Sequence, residues 1–183
     1  MAKNGIFKIA IILVILLAFI LRLKAFLLGC TLWLDECSLA LNIMHRNIFG
    51  LFQPLDFIQS APPFFMVATK IITDIFSVNE FSLRIIPLFA SLASVVAFYL
   101  FSKNFLTKKY AVTISLLMFG LNYNLIYYSA EFRWYSLDVL ICLYIFIVSL
   151  KLELKNINIK KSFLYGLWLF ILLLFSTPSI FFS

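Results

Sequence analysis

Long uncharged stretches alternate with short charged segments along this chain. Residues 85–102, 110–130 and 162–183 carry no ionisable charge, and 134–150 is broken only by Asp138. A first apolar run over 9–21 meets Arg22 and Lys24, then continues to Leu34. A helix needs about 20 apolar residues to cross a bilayer core. The pattern therefore predicts an all-α, polytopic transmembrane protein with about five spans, near 9–29, 85–102, 110–128, 134–150 and 163–183. Lys3 and Lys8 before the first run, and Leu27-Leu28-Gly29-Cys30 after it, have a signal-peptide look. Arg22 and Lys24 stand between run and box, so an uncleaved first span is the expectation.

Residues 30–84 form the long loop between the first two spans, and they follow another period. Over 38–51, Leu41, Met44 and Ile48 share one face, while Asn42, His45 and Arg46 share the other. Over 62–78, Thr69, Lys70, Thr73, Asp74 and Ser77 form a polar stripe opposite Phe64, Ala68, Ile71, Ile72 and Ile75. Pro62-Pro63 suits a first helical turn. Two amphipathic helices lying in the membrane interface are predicted.

Charge then orients the chain. If the second amphipathic helix does not cross, Lys3, Lys8, Lys103, Lys108, Lys109, Lys151, Lys155, Lys160 and Lys161 share one side, opposed only by Glu153. Under the positive-inside rule that side is cytoplasmic, with the N-terminus. The other side holds six basic and six acidic residues, and Asp138 completes the net charge of +7. Composition agrees: 64% hydrophobic, 13% charged and a mean hydropathy of +1.06 exclude a soluble globule, a disordered chain and a disulfide-stapled domain. The basic balance records topology in an integral plasma or inner membrane, with no nucleic-acid partner.

The outer charges carry the chemistry. Asp35 and Glu36 follow the first span; as bland groups they cap the next helix and complement its dipole. As functional groups, adjacent carboxylates supply a general base and a second polar or metal-binding group. Glu80 and Arg84 stand four apart before the second span, an ion pair or a phosphate contact. Glu131 and Arg133 sit in an aromatic stretch that an interfacial belt explains except for its charges. Asp138 lies one turn inside the next span, where a mid-bilayer carboxylate costs about 2.5–3.5 kcal/mol. His45, the sole histidine, reads as solvated; Cys30 and Cys37 flank the acidic pair and allow a disulfide.

Together these motifs resemble a known family. Leu21-Arg22-Leu23, Leu32-Trp33-Leu34-Asp35-Glu36-Cys37-Ser38, Ala61-Pro62-Pro63-Phe64-Phe65, Asn79-Glu80-Phe81-Ser82-Leu83-Arg84 and Tyr128-Ser129-Ala130-Glu131-Phe132-Arg133-Trp134-Tyr135 run in order. In that order they resemble the N-terminal part of GT-C membrane glycosyltransferases, of the family 39 or dolichyl-phosphate-mannose protein mannosyltransferase group and its bacterial relatives. The resemblance implies inverting sugar transfer from a polyprenyl-phosphate-linked sugar to a lipid, glycan or protein acceptor on the extracytoplasmic face. It implies Asp35 as the base, with Glu36 beside it. Arg84 and Arg133 sit in matching motifs as phosphate contacts, and Glu131 or Asp138 stands near a second acidic position. Lys70 joins the arginines on chemistry alone. No cofactor is fixed; divalent-metal dependence varies across such enzymes. The resemblance covers about the first third of such proteins, so 1–183 is expected to be one N-terminal membrane domain of a longer chain. The alternatives from other classes are a portion of a transporter or flippase, with Asp138 in its pathway, and a non-catalytic membrane subunit.

Overall fold

A computed structural model describes residues 2–29, 31–153 and 159–175, and the described residues are helical with no strand. In chain order the helices are α1 (Ala2–Leu28), α2 (Leu34–His45), α3 (Pro63–Phe76), α4 (Glu80–Phe105), α5 (Lys109–Gly120), α6 (Tyr123–Tyr127), α7 (Tyr135–Glu153) and α8 (Ile159–Leu173). Short 3-10 turns cover Phe49–Phe52 and Tyr128–Ala130. Within α1 the segment Gly5–Leu28, and the whole of α4, are long and apolar enough to cross a membrane. A third crossing exists if α5 and the segment Tyr123–Ala130, bent by 56° at the break, form one span. The fourth and fifth expected spans correspond to shorter apolar stretches, Tyr135–Ser149 and Phe163–Leu172. Residues 176–183 of the expected fifth span lie outside the described residues.

α4 is the central helix, packed against α1, α3, α5 and α7. Its start is well specified: the Asn79 side chain accepts from the Ser82 N–H at 2.9 Å, and Ser82 Oγ accepts from the Asn79 N–H at 3.1 Å. Such reciprocal capping satisfies two donors that a helix start leaves open. Ser77 takes a φ of 67°, turning the chain between α3 and α4, and its carbonyl accepts from Ser82 Oγ.

The break between α5 and α6 has a charged partner inside the bundle. Arg22 is fully buried; its Nε donates to Ser91 Oγ at 2.8 Å, and its Nη1 donates to the carbonyls of Gly120 and Ala18. A helix end in an apolar medium leaves carbonyls without partners, and each costs several kcal/mol. Arg22 removes that cost at Gly120 while tying α1 to α4 and α5. The sequence pattern places Arg22 with the other arginines on the outer side or at its boundary. It sits about 9 Å from the end of α1, at 1.5 Å per residue from Leu28, inside the bundle.

The two amphipathic helices form, with altered bounds and faces. α2 starts at Leu34 rather than Ser38, so the acidic pair lies within its first turn and Trp33 takes the cap position. In α3 the side turned into the protein is Phe65, Met66, Thr69 and Thr73, while Ile71, Ile75 and Phe76 are exposed. The threonine side of the predicted stripe thus faces the protein, and Thr69 Oγ1 donates to the Phe65 carbonyl within the helix. A local side-chain bond of this kind makes a threonine tolerable in a core.

With the first 3-10 turn, the start of α4 and the turn before α7, these helices enclose one apolar core: Leu39, Ala40, Ile43, Leu51, Phe65, Met66, Leu83, Phe132 and Trp134. Phe132 is fully buried, 5.6 Å from the Phe65 ring, and Trp134 lies 6.2 Å from the same ring. These two aromatics are core residues, not members of an exposed interfacial belt.

Candidate functional site

Three separate segments meet at the end of the bundle where α1 finishes and α4 begins. The first is the start of α2, where Glu36 occupies the third helical position and accepts from the Trp33 N–H at 3.0 Å. The second is the start of α4, where Arg84 stands one turn in from Glu80. The third is the turn between the 3-10 segment and α7, where Ser136 Oγ donates to the Tyr128 carbonyl and the Arg133 N–H donates to the Glu131 carbonyl.

Glu36 joins all three. Its carboxylate accepts from Arg84 Nη2 at 2.9 Å, from Arg84 Nε at 3.3 Å, and from the Phe132 backbone N–H. Glu36 is 1% exposed and Arg84 2%, so this two-point ion pair is removed from water. Removing one member of such a pair leaves a buried charge and typically costs about 3–5 kcal/mol. The spacing between Glu80 and Arg84 invites an ion pair within α4, yet Arg84 bonds the carboxylate of α2.

Asp35, its neighbour, points the other way. Its side chain is 65% exposed and pairs with Arg133 Nη2 at 2.9 Å. The Arg133 guanidinium also lies 5.6 Å from the centroid of the Trp134 ring, within cation–π range. Successive side chains on a helix point about 100° apart. One acid therefore faces the core and its neighbour the surface, and each takes one arginine.

Glu131 is the third carboxylate of the cluster. Its carboxyl lies near the Tyr127 hydroxyl and feels Glu36, Arg84 and Arg133. Burial pushes its carboxyl above the ordinary value; the neighbouring Tyr127 hydroxyl opposes this, repulsion from Glu36 adds to it, and both guanidiniums oppose it. Tyr127 is a site residue that sequence reasoning missed. Its signal was the four-residue spacing to Glu131 across the 3-10 turn.

Five of the seven residues singled out from the sequence therefore come together: Asp35, Glu36, Arg84, Glu131 and Arg133. Lys70 pairs instead with Asp74 at 3.0 Å along α3. Asp138 lies buried in the first turn of α7, beneath the cluster-bearing turn, with its N–H bonded to the Trp134 carbonyl. Cys37 is a free thiol whose Sγ approaches the Leu32 carbonyl at 3.7 Å; Cys30 lies outside the described residues.

A cleft of about 140 Å³ opens beside Arg84, walled by Phe26, Leu27, Gly29, Thr31, Glu80 and Phe81. Its walls are apolar on the α1 side and charged on the α4 side. Among the described residues no three His, Cys, Asp or Glu side chains stand close enough to hold a metal ion.

No family model matches the chain, and comparison with curated proteins and with solved structures finds no match either. The functional reading therefore rests on the site residues and on the motifs that carry the resemblance.

Proposed function

We propose that this chain contributes the catalytic corner of a GT-C-type glycosyltransferase that moves a sugar from a polyprenyl-phosphate donor to an acceptor hydroxyl or amine. The observation that carries the proposal is the paired arrangement of Asp35 on Arg133 and Glu36 on Arg84, at the end of helices apolar enough to cross a membrane. In this reading the chain has five spans with a cytoplasmic N-terminus. The exposed Ile71, Ile75 and Phe76 of α3 lie against the bilayer interface, as an amphipathic helix rich in outward apolar residues does.

The two acids divide the work. Glu36 is a positioning residue: its four donors come from three segments, and it holds the loop in register. Asp35 is the base, since it alone of the pair is exposed enough to reach an acceptor. Arg133 covers Asp35 Oδ2 until a donor phosphate, a bidentate acceptor for a guanidinium, draws it away. The acceptor oxygen or nitrogen then attacks the anomeric carbon from the face opposite the phosphate. The bond from that carbon to the phosphate oxygen breaks, polyprenyl phosphate leaves with the electron pair, and Asp35 takes the acceptor's proton. Cationic donors at the leaving oxygen stabilise the charge that develops there.

The test is transfer of a labelled sugar from polyprenyl phosphate in membranes carrying the Asp35→Asn variant. A general base contributes about 10²–10⁴-fold, so transfer should fall by that factor while helix content and membrane insertion stay unchanged. Full transfer by the variant would remove Asp35 from the chemistry.

A further inference from the structure

At the opposite end of the same helices lies a second cavity, of about 310 Å³, with a different chemistry. Phe7, Lys8 and Ile11 come from the start of α1, and Tyr99 and Lys103 from the end of α4. Lys109 and Val112 come from the start of α5. Leu106 and Thr107, in the connection between α4 and α5, complete the lining. Three lysines from three helices converge on one cavity, and among the described residues its lining contains no acid. The remaining walls are apolar or hydroxylated, so a ligand there meets cations and hydrocarbon together.

The plainest alternative treats each lysine separately. Lys103 in the last turn of α4 complements that helix's dipole, and Lys8 and Lys109 mark the side that stays in the cytoplasm. Neither account requires the three to border one cavity, nor gives it an apolar wall. The N-cap position of α5, Lys108, supplies no side-chain acceptor to the helix start, so the positive end of the α5 dipole adds to the same field.

Position identifies the ligand class. Arg84 and Lys103 are nineteen residues apart on α4, and Phe26 and Phe7 are nineteen apart on α1. At 1.5 Å per residue both separations are about 28 Å, close to the roughly 30 Å thickness of a bilayer core. With the Arg84 cleft at one headgroup level, the lysine cavity falls at the other. We propose that this cavity binds the phosphate headgroup of an anionic phospholipid from the leaflet opposite the candidate active site. Lys8, Lys103 and Lys109 hold the phosphate, the Thr107 and Tyr99 hydroxyls lie beside the glycerol, and the acyl chains run over Phe7, Ile11 and Val112. The cavity has the volume of about ten liquid waters, at about 30 Å³ each, enough for a glycerophosphate group. From that site the proposal takes only the level of the Arg84 cleft, and it does not depend on the glycosyltransferase chemistry.

The experiment uses the whole chain purified in neutral detergent, with lipid retention read by native mass spectrometry and stability by thermal melting. The probes are phosphatidylglycerol, phosphatidylcholine and inorganic phosphate. Wild type should retain phosphatidylglycerol and melt higher with it, whereas phosphatidylcholine and inorganic phosphate should do neither. Each Lys→Gln change at positions 8, 103 and 109 should weaken phosphatidylglycerol binding about five-fold, and all three together about one hundred-fold. Lys24→Gln, outside the cavity, should leave binding unchanged. Equal retention of phosphatidylcholine overturns the headgroup assignment, and the same melting shift from inorganic phosphate overturns the lipid. If the triple variant does not fold, the single variants decide: unchanged affinity in all three refutes the site.

Discussion

Replacing Glu36 by Gln tests the centre of the candidate site most directly. The change keeps the side chain's shape and one acceptor oxygen but removes the charge. The native carboxylate accepts from the Trp33 N–H, the Phe132 N–H and two nitrogens of Arg84, with 1% of the residue exposed. A Gln amide must turn its NH₂ group toward one of these donors, so at least one donor–acceptor contact becomes donor against donor. Arg84, 2% exposed, also loses its carboxylate partner. Loss of one member of a buried ion pair costs about 3–5 kcal/mol, and the oxygen that Gln retains puts the expectation at the lower end, about 3 kcal/mol. Unfolding in a denaturing detergent, followed by the fluorescence of the buried Trp134, measures this. A double-variant cycle with Arg84→Gln isolates the pair, and residues in direct contact couple by about 0.5–3 kcal/mol. A Glu36→Gln variant within about 0.5 kcal/mol of wild type, or a double variant whose loss is the plain sum of the singles, would refute the role of Glu36 as the joint of three segments.

Glu131 gives a pH dependence of defined sign. Burial raises its carboxyl in the folded state, so folding favours the protonated form. Its contribution is complete below the ordinary carboxylate value of about 4.3 and is lost as pH rises through the raised folded value. Glu131→Gln should therefore flatten the decline in stability above about pH 4.3, read from melting temperatures across that range. Gly120 sits where α5 meets α1: a Cβ there would stand 3.1 Å from the Ala18 Cβ and 3.9 Å from Val14 Cγ1. Gly120→Val should push the two helices apart and cost about 1–3 kcal/mol in the same unfolding assay, with the change in amide exchange concentrated at the α5–α6 break.

The hydrophobic pattern alone determines much of this protein. A bilayer core asks for about 20 predominantly apolar residues, so α1 and α4 were legible by length and composition, even with Arg22 and Lys24 inside the first. The proline at the start of α3 was equally local, whereas Lys70, expected beside the arginines, pairs with Asp74 one turn along its own helix. The motifs of the candidate site were visible as clusters of acid and arginine, but not their partners. Glu36 and Arg84 are forty-eight residues apart, and Glu36 and Phe132 ninety-six. A long-range ion pair leaves no period in a sequence. Asp35 and Glu36 look equivalent in the chain, and only the rotation between successive helical positions separates a buried joint from an exposed acid. Arg22 shows the same limit: beside Lys24 it resembles a boundary charge, until the broken helix at Gly120 brings an unpaired carbonyl to its guanidinium. The sequence by itself determined which segments are helical and apolar, two of them long enough to cross a membrane. The tertiary structure decided which charges face each other, because ion pairing depends on distances that only packed helices set.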